Sequence, residues 1–223
     1  MSMTSHLPAA IFFDHDGTLV DTEPLWAQAK TELAEEFGKT WTEEDTLLCL
    51  GRPMSETIDR LHALGIDLSY DELMERLTSD ARDVISRTEI PFLPGISALL
   101  HEVAEAGIPA AIVTNATAEI ATMTASRGPE GLFRAVIGNE NVTSPKPDPQ
   151  PYLLAAQKLE VDPVQCVAVE DSPSGVASAM AAGMKTVVVP GMQPVGPREG
   201  TVHWDHEELT LAKLRGLFAN PDA

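Results

Sequence analysis

The sequence predicts an α/β protein: a doubly wound parallel sheet with a helical subdomain inserted after its first strand. Three observations point there. Short apolar runs alternate with stretches of helical period, nearly every run ends in polar residues, and one long segment after the first run has helical periodicity and no strand. In chain order the runs are 9–13 (AAIFF), 110–113 (AAIV), 135–137 (AVI), 166–169 (CVAV) and 186–189 (TVVV). Continuous apolar runs of this length fit strands buried on both faces of a parallel sheet. Between them, residues 96–106, 118–126, 150–159 and 174–182 carry helical spacing. Gly107 and Gly183 stand where a helix C-terminus favours glycine.

The inserted segment runs from Thr22 to about Pro91. Its apolar residues recur at helical intervals: Leu25, Ala29, Leu33 and Phe37; Ile58, Leu61 and Leu64; Leu73, Leu77, Ala81 and Ile85. A connection in an α/β unit takes about 2–6 residues, so a segment of roughly 70 is a subdomain of its own. The predicted division is a core of residues 1–21 and 91–223 and a helical cap of residues 22–90. The cap leaves from the carboxyl edge of the sheet, where α/β proteins bind ligands, and is expected to cover it. The Pro- and Gly-rich stretch 190–200 reads as a surface loop.

A chain of 223 residues accommodates one large domain or a domain with an insert. Its 43% apolar and 22% charged residues exclude intrinsic disorder and collagen-like structure. No apolar run approaches the roughly 20 residues that span a bilayer. Fifteen basic against 34 acidic residues give a net charge of −19, which speaks against nucleic acid and anionic membranes as partners. An anionic ligand would then need local positive charge from Lys, Arg, a metal or helix N-termini. Cys49 and Cys166 lie far apart and are expected as buried free thiols in a reducing compartment. The N-terminus has no secretory pattern, and a cytoplasmic location is expected.

The strand ends hold the chemistry. The first ends Asp14-His15-Asp16-Gly17-Thr18. Two carboxylates so close repel unless a cation or a shared proton compensates, and an aspartate directly after an apolar strand is costly without a purpose. A surface turn is the alternative. A calcium loop is a poorer one, because the third ligand, the later Gly and Glu, and the preceding helix are missing. The second strand ends Thr114-Asn115, which can donate to a phosphate oxygen or cap a helix. Lys146 lies between Pro145 and Pro147, which restrict its backbone. It reads either as the cation that an acidic chain brings to an anion or as part of a rigid turn. The fourth strand ends Glu170-Asp171-Ser172-Pro173. With Asp14 and Asp16 this makes an oxygen-rich set suited to Mg²⁺, while Asp171 or Ser172 can also cap a helix begun by Pro173. His15 should point away from both neighbouring carboxylates by strand alternation and is read as structural. His203 and His206 resemble a metal pair by spacing only and are read as loop residues.

Taken together, FFDHDGT with a nearby Asp21, then IVTN, KPDPQPY and VEDSPSGVASAMAAGM resemble the haloacid dehalogenase superfamily of phosphotransferases. The resemblance covers about residues 9–189, and the helical insert looks like that superfamily's first cap class. Asp16 argues against the true dehalogenases, which lack a second aspartate. The resemblance implies that Asp14 is the nucleophile and forms an aspartyl phosphate, and that Asp16 is the general acid and base. Thr114 and Lys146 would hold the phosphoryl group, with the Asn115 backbone helping. Asp14, the Asp16 backbone, Glu170 and Asp171 would hold Mg²⁺. Glu23, Trp26, Arg52 and Arg82 are candidates for substrate selection in the cap, each with a packing or surface alternative. The β-phosphoglucomutase relatives usually carry a histidine about where Trp26 stands. Its absence, and an Asp21–Trp26 opening similar to that of sugar-phosphate phosphatases, favour hydrolysis of small phosphorylated metabolites, sugar phosphates above all. A sugar phosphomutase and a catalytically idle phospholigand-binding member are the alternatives. A monomer or weak homodimer is expected.

Overall fold

The computed structural model describes residues 7–49, 54–88 and 90–218. Among the described residues, six strands form one sheet: β1 (Ile11–Phe13), β2 (Ala110–Val113), β3 (Phe133–Ile137), β4 (Val167–Glu170), β5 (Lys185–Val188) and β6 (Thr201–His203). Their order is β3-β2-β1-β4-β5-β6 and every pairing is parallel. β1 lies where the order changes direction, so its carboxyl end is the topological switch point at which an open α/β sheet receives ligands. The register sets Phe13 level with Ile112 of β2 and Val169 of β4. Asp14, Thr114, Glu170 and Asp171 therefore emerge side by side at one edge.

The chain divides into two compact units, Thr22–Ile90 on one hand and Met1–Asp21 with Pro91–Ala223 on the other. The first contains, among the described residues, α1 (Glu23–Glu36), α2 (Glu43–Cys49), α3 (Met54–Ala63) and α4 (Tyr70–Arg87). The second contains the sheet with α5 (Ile96–Glu105), α6 (Ala118–Ala125), α7 (Gln150–Leu159), α8 (Pro173–Ala181) and α9 (Leu211–Gly216).

The sheet unit is held by apolar residues on both of its faces. Phe12 points to the side filled by Ala111, Val113, Ala168, Tyr152 of α7 and Ala179 of α8, and meets the Tyr152 ring edge-on at 6.4 Å. Phe13 points to the opposite side and meets Phe133 at 6.3 Å. Full burial of each Phe contributes about 1.5–3 kcal/mol, before the aromatic geometry is counted. α8 begins as its sequence prescribes: Ser172 is the N-cap, its side chain accepts the Gly175 N–H, and Pro173 opens the helix.

The Thr22–Ile90 unit has its own core of Leu33, Trp41, Ile58, Leu61, Ile66, Leu73 and Leu77. α4 starts with a capping box between Ser69 and Glu72. This unit also buries the carboxylate of Asp45. It accepts from the Thr42 N–H at 2.8 Å, the Thr42 hydroxyl at 2.7 Å and the Arg60 guanidinium at 2.5 Å. Burial alone would raise this carboxyl, but those donors hold it below its ordinary range.

Three elements are absent from the sequence reading, one of them α9, whose one buried side chain is Leu214. α2 is short and polar, with Leu47 and Leu48 exposed, so it has no apolar stripe to announce it. β6 contains Thr, Val and His and exists through its pairing with β5. His203, expected in a loop, thus ends a strand. Cys49 and Cys166 are both free and buried, and burial pushes the Cys166 thiol up to about 12. No described helix is long and apolar enough to cross a membrane.

Candidate active site

β1 ends at Asp14, whose N–H donates to the Val169 carbonyl at 3.0 Å. The chain then turns sharply. The Gly17 N–H donates to the Val20 carbonyl at 2.8 Å, and the Leu19 and Val20 N–H groups return to the His15 carbonyl. Gly17 has φ +80°, a conformation that favours glycine, and a Cβ there would overlap the Asp171 carboxylate. The same holds for a Cβ at Gly191, which also faces Asp171, and at Gly175, which faces the Glu170 carboxylate. Three glycines thus leave room for two acids.

Lys146 is the centre of the cluster. Its ammonium donates to Asp14 Oδ1 at 2.5 Å, Glu170 Oε1 at 2.5 Å and the Val113 carbonyl at 2.7 Å. The expected restriction by flanking prolines is supplemented by a side-chain clamp. Asn115 Oδ1 accepts the Lys146 N–H at 3.0 Å, and Asn115 Nδ2 donates to the Lys146 carbonyl at 3.2 Å. Tyr152, fully buried on α7, donates its hydroxyl to Glu170 Oε1 at 2.5 Å. Thr114 is buried beside them, and its Oγ1 accepts the Ala116 N–H at 3.0 Å.

The charges do not balance. Asp14, Glu170 and Asp171 are all buried, and each offers a carboxylate oxygen within 4.8 Å of the others'. Among the described residues, one ammonium, that of Lys146, bonds two of them, Asp14 and Glu170. Burial, with Glu170 and Asp171 adding to it, pushes the Asp14 carboxyl well above its usual range despite Lys146. Burial, with Glu170 and Asp16 adding, pushes Asp171 up to about 7. Lys146 is held above its ordinary value, because Asp14 and Glu170 outweigh the burial that opposes them. Crowded hard oxygen donors with surplus negative charge fit a divalent cation, which would relieve the repulsion. Among the described residues this is the acidic group that could hold a metal ion.

The structure therefore brings Asp14, Lys146, Glu170 and Asp171 into contact or close approach, with Thr114 and Asn115 alongside. Asp16 raises Asp171 by its charge, but its side chain is not among the clustered oxygens. His15 turns away: its ring is buried and bonds Thr124 of α6 at 2.8 Å. Burial, then Lys146, lowers it to about 4. His203 and His206 do not converge. His203 lies 3.3 Å from the Thr201 hydroxyl, and His206 reaches the Gly17 carbonyl. In the other unit, Glu23 pairs with Lys30 at 3.2 Å, Trp26 is half-buried on α1 and Arg82 is half-buried on α4. Arg52 lies outside the described residues.

Sequence reasoning assigned no part to Tyr152, Gly191 or the Val113 carbonyl. Tyr152 falls on the apolar face of α7, where its spacing reads as core. Gly191 lies in a Pro- and Gly-rich stretch with no local sign of its neighbour.

Residues 11–189 match the family model described as haloacid dehalogenase-like hydrolase. The phosphorylated carbohydrates phosphatase of Thermotoga maritima is 34% identical over 180 residues, covering 80% of this chain and 83% of that one. Hexitol phosphatase B of Escherichia coli K12 is 33% identical over 197 residues, covering 85% and 86%. Among solved structures, a variant of CbbY from Rhodobacter sphaeroides in complex with xylulose-(1,5)bisphosphate superposes with a TM-score of 0.73 at 28% identity, covering 94% of this chain and 99% of that one. The motif sequence, the parallel sheet with its switch point at β1 and these similarities agree: the chain belongs to the haloacid dehalogenase-like hydrolases.

Proposed function

We propose that the protein is a Mg²⁺-dependent phosphatase of small phosphorylated metabolites, sugar phosphates above all, working through an aspartyl phosphate. The observation that supports this most is the buried group of three carboxylates around the Lys146 ammonium at the switch point. The names of the similar proteins support the substrate class.

In this reading Asp14 is the nucleophile. One of its oxygens attacks phosphorus, a new P–O bond forms, and the ester P–O bond breaks. Asp16 gives its proton to the departing oxygen and the alcohol leaves. Asp16 then takes a proton from water. The water oxygen attacks phosphorus, the acyl phosphate bond breaks, and inorganic phosphate departs with Asp14 regenerated. Lys146, bonded to Asp14 Oδ1, orients the nucleophile and offsets the negative charge that repels a phosphate dianion. Thr114 and Asn115 border the same place, and Asn115 also holds Lys146 in position. Asp14 and Asp171 would hold Mg²⁺, with Glu170 and the Asp16 backbone completing its surroundings. The ion, when bound, supplies positive charge to the transferring phosphoryl group. Glu170 Oε1 accepts from both Lys146 and Tyr152, which suits an outer role toward the ion. The Thr22–Ile90 unit is read as the substrate-selecting cap, with Glu23, Trp26, Arg52 and Arg82 as its candidate residues. A cytoplasmic setting and a monomer or weak homodimer belong to the same reading.

The test is phosphate release from a panel of sugar phosphates with Mg²⁺ and with excess chelator. Release with Mg²⁺ that stops in chelator is expected. Isomerisation of a hexose 1-phosphate without net release would make the protein a mutase, and equal turnover in chelator would remove the metal from the proposal.

A further inference from the structure

The segment after β5 lies outside the residues matched by the family model, yet it reaches the turn that carries Asp16. β6 is paired to β5, and the Trp204 N–H donates to the Val188 carbonyl at 3.0 Å. A single helical turn, His206–Glu208, follows. It is capped by the Glu208 carboxylate, which accepts the Asp205 N–H at 3.0 Å, and anchored by buried Leu209. On its far side the His206 carbonyl packs so closely on Gly95 that a Cβ there would approach it to 2.6 Å. The backbone of His206 is therefore held from several directions, and only its ring projects onward.

That ring reaches the Gly17 carbonyl: Nε2 lies 3.0 Å from the oxygen, and since a carbonyl only accepts, Nε2 carries the proton. Gly17 has the widest conformational freedom in the turn after β1. Its Cα already faces the Asp171 carboxylate, and its N–H is bonded to Val20. The His206 bond fixes the remaining polar group of this residue. The Asp16–Gly17–Thr18 stretch is thus pinned between Asp171 and His206, and the residue pinned with it is Asp16.

We infer that His206 is a positioning residue for Asp16, setting the backbone from which the acid and base of the reaction projects. The inference rests on the reading of Asp16 given above. It makes a claim that a packing role would not make: the contribution of His206 should follow the need for proton transfer. In the first half-reaction an alkyl phosphate needs its leaving oxygen protonated, whereas p-nitrophenolate leaves without that help. A small displacement of a catalytic group costs up to about 10²-fold when the group is needed.

The experiment compares wild type, His206→Phe, which keeps a ring and removes the donor, and His206→Gln, which restores an N–H donor. Values of kcat/KM are measured on a sugar phosphate and on p-nitrophenyl phosphate, with thermal melting and amide hydrogen exchange of the peptide containing Gly17 and Thr18. His206→Phe is expected to lose about tenfold on the sugar phosphate and about twofold or less on the aryl ester. Exchange at residues 17–18 should rise, and His206→Gln should recover most of both. Equal losses on the two esters, or unchanged exchange, would overturn the inference, as would an unaltered His206→Phe enzyme. A wild type that cleaves neither ester would instead overturn the functional reading, so the two failures are distinct. If His206→Phe melts far below wild type, His206→Met, which also lacks the donor, takes its place and is held to the same ratio. A donor-retaining variant that loses selectively on the aryl ester contradicts the role.

Discussion

Asp45 and Asp171 are both buried carboxylates, and they behave in opposite ways. Asp45, in the Thr22–Ile90 unit, receives an N–H and a hydroxyl from Thr42 and a guanidinium from Arg60. Its carboxyl stays below the ordinary range. Asp171, in the sheet unit, shares its neighbourhood with Glu170 and Asp16, and its carboxyl is pushed up to about 7. The first site has its donors built in and is complete. The second has more negative charge than the protein neutralises, so it is arranged for something brought from outside. Burial alone does not distinguish structure from function here; the supply of donors does.

The comparison can be broken most sharply by removing charge from each site in turn. Asp14→Asn should lower phosphate release by at least about 10³-fold, because the amide is a poor nucleophile. The same change should not lower the melting temperature of the metal-free protein, since it removes a repelled charge. A melting point that falls with Asp14→Asn, or activity that survives it, would place Asp14 with Asp45 as a structural acid.

Next in size is the effect on stability. Asp45→Ala should destabilise the protein by about 1–3 kcal/mol in urea titration, because the Thr42 and Arg60 donors lose their acceptor. Asp171→Asn should do the reverse at pH 8 without metal: stability should rise, and the increase in melting temperature on adding Mg²⁺ should shrink.

The same imbalance should show in the pH dependence. Asp171 titrates near 3.8 when unfolded and at about 7 in the fold, so the fold retains a proton that the unfolded chain has lost. Metal-free stability should therefore fall as pH rises from about 4 to about 7, and Asp171→Asn should flatten that fall. His15 has the opposite sign. Its ring goes from 6.5 unfolded to about 4 folded, so its contribution is complete above 6.5 and is lost as pH falls toward 4. His15→Leu should steepen the decline between those values. Urea midpoints of the metal-free variants across this range measure both signs.

Much of this was legible in the sequence. The five apolar runs correspond to β1–β5 because a strand buried on both faces has almost no choice but Val, Ile, Ala and Phe. Asp14, Thr114 and Glu170-Asp171 stood out as polar groups at the ends of such runs, and Lys146 stood out between Pro145 and Pro147. β3 begins earlier than its apolar residues suggest, at Phe133, which has Phe13 as its partner. β6 was not legible, since Thr201 and His203 become strand only against β5. Thr114-Asn115 was read as donating to a phosphate or capping a helix, and the clamp of the Asn115 side chain on the Lys146 backbone is a further contact, across 31 residues, that no local pattern encodes.

The chain by itself determined the alternation of strand and helix, the insert after the first strand and the residue types at the strand ends, because periodicity and the cost of polar groups act locally. Only the tertiary structure decided that one ammonium must serve Asp14 and Glu170, that glycines at 17, 175 and 191 make room for the acids, and that Tyr152 and His206 reach the site. Those are distances between parts of the chain that come together only when the sheet forms, and the electrostatic imbalance at the site depends on them.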